Sequence, residues 1–270
     1  MFKRILVANR GEIALRVMRT AREMGIESVA VFSDFDRDAL HARLADEAVC
    51  LGGSVPASSY LDMDKILAAA ERTGAEAIHP GYGFLAENAE FARRVEAAGL
   101  GWIGPPPSAI ESMGDKIESR RLMVAAGVPC VPGLKDPVAD AADAVAAAEG
   151  IGYPVAIKAA AGGGGKGIRI VHEPDQIESA FLAASGEAVA AFGDGRLYLE
   201  RYIEHPRHVE IQVLFDSHGN GTSLGERDCT VQRRHQKLIE EAPSPVVSPE
   251  IRARMGEVAV AAGKAVGYVG

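Results

Sequence analysis

The chain has 270 residues, 47% hydrophobic, 24% charged and 6% aromatic, which excludes a disordered, collagenous or fibrous protein. Lys plus Arg number 29 against 37 Asp plus Glu, and a formal net charge of −8 disfavours nucleic acid and anionic membrane as partners. Cys50, Cys130 and Cys229 lie far apart with no Cys-x-x-Cys pair, so they are expected to be reduced, mostly packing residues of a cytoplasmic protein.

Met1-Phe2-Lys3-Arg4 leads into the apolar run Ile5-Leu6-Val7-Ala8, too short for a signal-peptide core and therefore read as a buried strand. No stretch approaches the ~18 consecutive apolar residues of a membrane span. A helix follows with Ile13, Val17, Ala21 and Met24 on one face, ending at Gly25. Then come a strand in Ser28 to Phe32, a helix from Lys65 to Thr73, a strand at Glu76-Ala77-Ile78, and a helix capped by Asn88 carrying Phe91, Val95 and Ala98. Alternating strands and helices predict a parallel sheet covered on both faces, so the first 115 residues are read as a Rossmann-like α/β domain.

Ser108 with Glu111 and Asp115 with Glu118 have capping-box spacing, the second opening a linker helix within 116–130. Pro129 and Pro132 mark a domain boundary. Beyond it an alanine-rich helix (139–149) leads to the strand Pro154 to Lys158, then a glycine run (162–165) with Lys166 and Gly167, then a strand with alternating Ile168 and Ile170. A helix over about 174–191, the strand Leu197 to Glu200 and the alternating Val209-Glu210-Ile211-Gln212-Val213 give this half an antiparallel, α+β character. Ser248 and Pro249 open a last helix closing near Gly267. Tyr268-Val269-Gly270 reads as the beginning of a strand, which makes an incomplete domain the expectation.

Glycine runs cradle phosphates because residues without Cβ let several backbone N–H groups converge on an anion, and nearby lysines add charge. Gly162 to Gly167 with Lys158 and Lys166 has those parts. Here the run leads into a strand, so neither a P-loop nor a dinucleotide fingerprint fits the context. Lys158 ends an apolar strand, where an unpaired ammonium is costly to bury and a phosphate would pair it; an edge-strand lysine reaching solvent is the alternative. Lys116 alone reads as surface charge. Free backbone groups around Glu200, Arg201, Tyr202 and Ile203 could read an adenine as a peptide would. Gln232 to Lys237 packs four potential cations into six positions, an anion site or a solvated charge run. His79-Pro80-Gly81-Tyr82-Gly83-Phe84 follows a strand at the ligand-binding edge of the parallel sheet. No His, Cys, Asp or Glu set has metal-ligand spacing.

Together, Ile5 to Ala14, His79 to Asn88, Met113-Gly114-Asp115-Lys116, the glycine run, His205 to Val213 and Glu226 to Lys237 resemble biotin carboxylase, the ATP-grasp component of acetyl-CoA, propionyl-CoA and pyruvate carboxylases. The resemblance runs from end to end of the chain. It implies a Rossmann-like pre-ATP-grasp domain (1–115), an ATP-grasp lid (131–203) and the start of a large ATP-grasp domain (204–270). By carry-over, Lys116, Lys158, Gly164, Gly165 and His208 would contact ATP phosphates; Glu200, Arg201, Tyr202, Ile203 and His235 would hold adenine and ribose; and Lys237 would contact bicarbonate. The implied reaction uses ATP and magnesium to phosphorylate bicarbonate and carboxylate biotin on a carrier protein. Biotin carboxyl carrier protein, the carboxyltransferase and a second copy of the chain are the implied partners. The family's acidic magnesium ligands and catalytic glutamate lie beyond this length, so the chain is expected to be an N-terminal fragment, inactive alone. A non-catalytic nucleotide-binding or assembly module, or another ATP-grasp ligase such as carbamoyl phosphate synthetase, are the alternatives.

Overall fold

The computed structural model describes residues 1–161, 167–233 and 236–270. The chain divides into one unit of residues 1–111 with Gly270 and a second of residues 112–269.

In the first unit, strands β1 (Arg4–Val7), β2 (Glu27–Phe32), β3 (Glu47–Cys50), β4 (Ala77–His79) and β5 (Gly101–Trp102) form a parallel sheet in the order β3-β2-β1-β4-β5. Helices α1 (Gly11–Glu23), α2 (Leu40–Leu44), α3 (Met63–Thr73) and α4 (Ala89–Ala97) connect them. Successive strand residues alternate faces: Leu6, Val29, Val31 and Ile78 pack with Ile66, Ala69, Phe91 and Val95, while Val7 and Ala30 pack with Ala14 and Met18. That alternation is why the central strands are apolar on both faces, as a doubly covered parallel sheet requires.

The predicted strands and helices of this unit are present, and α2, β3 and the two-residue β5 are additions to them. The five-residue α2 and four-residue β3 give too few apolar positions for a period to show, and β3 buries only Val49 among its residues. On α1 the buried stripe is Ala14, Met18 and Ala21, one position round from the predicted face, and Met24 is 52% exposed. Asn88 caps α4 by accepting from the Phe91 N–H at 2.9 Å.

Helix α5 (Pro107–Gly114) spans the division between the units. Ser108 lies inside α5 and caps nothing, because Pro107 already supplies the first helical residue. Asp115 does cap α6 (Lys116–Ala125), its Oδ1 accepting from Ile117 N–H at 2.9 Å and Glu118 N–H at 3.0 Å. Asp115→Ala is expected to cost about 1 kcal/mol of stability, read as a shifted urea midpoint with an unchanged slope.

The second unit holds two antiparallel three-stranded sheets. One is ordered β7-β6-β8, from β6 (Val155–Ala159), β7 (Ile168–Val171) and β8 (Leu197–Arg201). Helices α7 (Ala141–Ile151) and α8 (Ile177–Phe192) cover one face, burying Val155, Ile157, Ala159, Leu197 and Leu199 against Ala144, Ala148, Ile177, Ala184 and Ala188. On β7 it is Val171 that is buried, while Ile170 is 43% exposed. The other sheet, β11-β10-β9, comprises β9 (Val209–Phe215), the thirteen-residue β10 (Gly221–Arg233) and β11 (Gln236–Glu241), with α9 (Pro249–Ala265) packed on β9 and β10. Ser248 caps α9 by accepting from Ile251 N–H at 3.3 Å.

Two expectations are corrected here. Tyr268 and Val269 form no strand; the Tyr268 N–H bonds the Gly263 carbonyl at 2.9 Å and its ring meets Phe215 edge-on at 6.0 Å. Of the cysteines only Cys229 is buried; Cys50 and Cys130 are exposed, and none is paired. Among the described residues no helix is long and apolar enough to cross a membrane.

Candidate functional site

The antiparallel register of β6 and β8 builds the site. Val155, Ile157 and Ala159 face the helices, so Lys158 points from the opposite face; on β8 Leu197 and Leu199 face the helices, so Tyr198 and Glu200 share the face of Lys158. Lys158 stands opposite Tyr198 and Ala156 opposite Glu200, which makes Lys158 and Glu200 diagonal cross-strand neighbours. The Lys158 ammonium donates to Glu200 Oε1. Lys158 therefore lies on the central strand and is paired by a carboxylate, which removes the edge-strand alternative.

Helix α6 closes this face. Ile117 packs with Ala160 and Tyr198, and the Lys116 N–H reaches the Ala160 carbonyl at 3.4 Å. Lys116 thus sits at the first position of α6 within electrostatic range of Lys158 and Glu200. Burial holds its ammonium below the ordinary lysine pKa, the charge of Lys158 pushes the same way, and Glu200 opposes both. One turn further along α6, Arg120 Nη1 lies 3.6 Å from Glu200 Oε2 and its Nη2 donates to the Val131 carbonyl. Three cations therefore face one carboxylate beside the N-terminus of α6, a local excess of positive charge suited to a polyanion. The Tyr198 phenol on the same face is pushed well above its usual pKa by burial first and by Glu200 second, so it stays protonated. Gly133 bridges Glu200, and a Cβ there would stand 2.7 Å from Glu200 Cβ and from the Leu199 carbonyl, so only glycine lets that segment approach.

Beyond β8 the backbone is only partly free. The Arg201 N–H is taken by the Pro132 carbonyl at 2.7 Å and the Tyr202 N–H by the Pro154 carbonyl at 2.9 Å, which corrects the expectation that this edge is open throughout. The Ile203 N–H has no acceptor among the described residues, and the Ile203 side chain is half exposed.

A second cluster lies on the other sheet. Lys237 on β11 donates to Glu210 on β9 and is 3.8 Å from Glu240. Burial alone would raise the Glu210 carboxyl, but hydrogen bonds from Lys237 and Arg227 overcome it and hold the group at about 2. The same bond raises Lys237. His208 lies just ahead of β9; its N–H bonds Thr230 Oγ1 at 3.1 Å and its ring Nδ1 meets the Gln232 amide. Among the described residues no hydrogen bond or ion pair joins this cluster to the one around Lys158. Gly164, Gly165 and His235, with Lys166, lie outside the described residues. Among the described residues no group of three His, Cys, Asp or Glu side chains could hold a metal ion.

Sequence reading singled out neither Arg120 nor Glu210. The four-residue step from Lys116 was the available signal for Arg120, since positions i and i+4 share a helix face. For Glu210 it was the one charged position in the Val209-Glu210-Ile211-Gln212-Val213 alternation.

A Rossmann-like unit followed by antiparallel sheets, with lysines of one sheet and one helix facing a carboxylate in a chain that carries a glycine run, defines a nucleotide-binding protein of the ATP-grasp class. Residues 1–110 match the family "Biotin carboxylase, N-terminal domain", and residues 115–270 match "Carbamoyl-phosphate synthase L chain, ATP binding domain". The chain belongs to the biotin carboxylase family. It is 54% identical over 269 residues to a Nostoc biotin carboxylase, covering 100% of this chain and 60% of that protein. It is 54% identical over 268 residues to the propionyl-CoA carboxylase alpha chain of Ruegeria pomeroyi, covering 99% of this chain and 39% of that protein. The chain thus spans between 39% and 60% of the length of these curated relatives. Among solved structures, a biotin carboxylase–β,γ-ATP complex from Campylobacter jejuni superposes with a TM-score of 0.96 at 48% identity, covering 100% of this chain and 60% of that one. The biotin carboxylase domain dimer of Hydrogenobacter thermophilus 2-oxoglutarate carboxylase, with MgADP, ADP and bicarbonate, superposes at 0.94 and 51% identity, covering 100% and 59%.

Proposed function

We propose that this chain carries the ATP-binding part of a biotin carboxylase, and that the whole protein uses ATP to activate bicarbonate and carboxylate biotin on a carrier protein. The cluster of Lys116, Lys158 and Arg120 around Glu200 carries the reading, because the charge of Lys158 disfavours that of Lys116 and an arriving phosphate chain relieves it. Lys116 and Lys158 take the phosphates together with the glycine run that holds Gly164 and Gly165. The Arg201-Tyr202-Ile203 segment takes the base, with the Ile203 N–H, which has no acceptor among the described residues, as a donor. Lys237 belongs to the bicarbonate side and His208 to the phosphates, while His235 goes with the adenine and ribose.

Bicarbonate carbon is a poor electrophile until one of its oxygens becomes a phosphate leaving group, and fixed cations stabilise the charge that moves in that transfer. Magnesium belongs to this reading as the ion that accompanies the nucleotide phosphates. The subdomain limits 1–115, 131–203 and 204–270, the carboxyltransferase partner, a homodimer and a cytoplasmic setting belong to the same reading. The named relatives and the unpaired cysteines support it.

The test is a calorimetric titration of this chain with MgATP. Binding in the range of about 1 μM to 1 mM usual for substrates is expected. No heat of binding together with no competition against a fluorescent ATP analogue overturns the reading.

A further inference from the structure

Arg120 has no assigned role, yet its placement is costly. Its side chain is only 11% exposed, and its Nε–H is buried without an acceptor among the described residues. A buried donor left unpaired costs free energy, so the position needs another gain to offset it. The gain visible here is electrostatic. Glu200 offers one oxygen to Lys158 and the other to Arg120, while Arg120 also ties the start of the segment after α6 through the Val131 carbonyl.

We propose that Arg120 is a positioning residue for the nucleotide phosphates: by holding Glu200 Oε2 it keeps that carboxylate from claiming Lys158 entirely, and so presents the Lys158 ammonium to an anion. The inference rests on the ATP-binding reading above. Three consequences follow from the geometry. When Lys158 turns toward a phosphate, Glu200 keeps a charged partner and is not stranded in a half-buried site. Lys116 and Arg120, one turn apart on the same face of α6, move as one body, so the grip on Glu200 also fixes where Lys116 stands. Finally, the cluster loses a positive charge if Arg120 is removed, which weakens its pull on any polyanion.

The experiment is a double-mutant cycle in the full chain, with Arg120→Met, Glu200→Gln and their combination, each titrated with MgATP and with adenosine. Arg120→Lys is the conservative variant, and circular dichroism confirms folding in each case. Arg120→Met is expected to weaken MgATP binding about tenfold, as loss of a charge-assisted contact does. Adenosine affinity is expected to change by less than about twofold, because adenosine carries no phosphate for the cluster to attract. Arg120→Lys restores most of the loss. In the Glu200→Gln background Arg120→Met has a smaller effect on MgATP, the part that follows from the lost charge alone, since no carboxylate remains to be shared. Equal losses for MgATP and adenosine would show a merely structural arginine and overturn the proposal, as would an Arg120→Met effect that persists in full beside Glu200→Gln. If Arg120→Met does not fold, Arg120→Lys decides: a Lys variant that keeps close to wild-type affinity for both MgATP and adenosine supports the proposal, and one that loses both ligands alike overturns it. A wild-type chain that binds neither ligand overturns the ATP reading itself, whereas a binding wild type with an unaltered Arg120→Met variant overturns only the role of Arg120.

Discussion

Lys158→Met is expected to lower MgATP affinity by roughly 10- to 150-fold, the equivalent of one charge-assisted hydrogen bond of about 1.5–3 kcal/mol. The substitution is suited to the site. Lys158 sits on the central strand and its side chain is largely buried, so methionine keeps the packing of the stem and removes the charge. What remains is Glu200 held by Arg120 alone, with Lys116 as the only ammonium of that face among the described residues. A second readout separates this from a folding defect. The charge of Lys158 is one of the forces lowering the Lys116 pKa, so that pKa should climb in the variant. Titration of reductively methylated lysines by NMR reads this directly. An unchanged Lys116 together with unchanged MgATP affinity would mean that the two ammonium groups do not share one anion.

The same residues show what sequence could and could not yield. Asn88, Asp115 and Ser248 cap helices through bonds to residues two or three positions on, so their roles are written in short local spacings. The apolar strands of the parallel sheet are equally legible, because burial on both faces leaves few polar positions to blur them. Pairings across sheets are another matter. Lys158 and Glu200 are 42 residues apart, and they meet only because β6 and β8 pair in one register; a one-residue slip would send one of them toward the helices. Lys158 could therefore be singled out as a lysine needing an anion while its carboxylate partner stayed hidden. Lys237 and Glu210, 27 residues apart on the two outer strands of the other sheet, repeat the case. The Arg201 and Tyr202 N–H groups were expected to be free because their acceptors, Pro132 and Pro154, belong to segments far away in sequence.

The largest stability effect is expected at Glu226, which joins β10 to α9. Its carboxylate is 1% exposed and bound by Arg252, with Nε 2.8 and 2.7 Å from the two oxygens and Nη2 2.7 Å from Oε1; the Ser244 N–H adds a bond at 3.2 Å. Two positions on, buried Asp228 accepts from Thr230 and from Ser244 Oγ, so Ser244 ties the two carboxylates together. Glu226→Ala leaves the Arg252 guanidinium without its carboxylate and the Ser244 N–H without its acceptor. A fall of about 5 °C in the melting temperature of the second unit at pH 7 is expected, the scale for losing a buried carboxylate whose arginine partner still reaches solvent. The pH dependence follows from the same bonds. The Arg252 hydrogen bonds hold the Glu226 carboxyl at about 2, against 4.5 unperturbed, with burial opposing them. A group whose folded pKa is depressed contributes stability that is complete above the unfolded pKa and is lost as the pH falls through the folded one. Native protein should therefore lose this contribution between pH 4.5 and about 2, while Glu226→Ala, already without it, shows a shallower acid slope. Thermal unfolding of both chains from pH 7 to pH 2 tests this, and parallel curves across that window would mean that Glu226 does not carry the coupling.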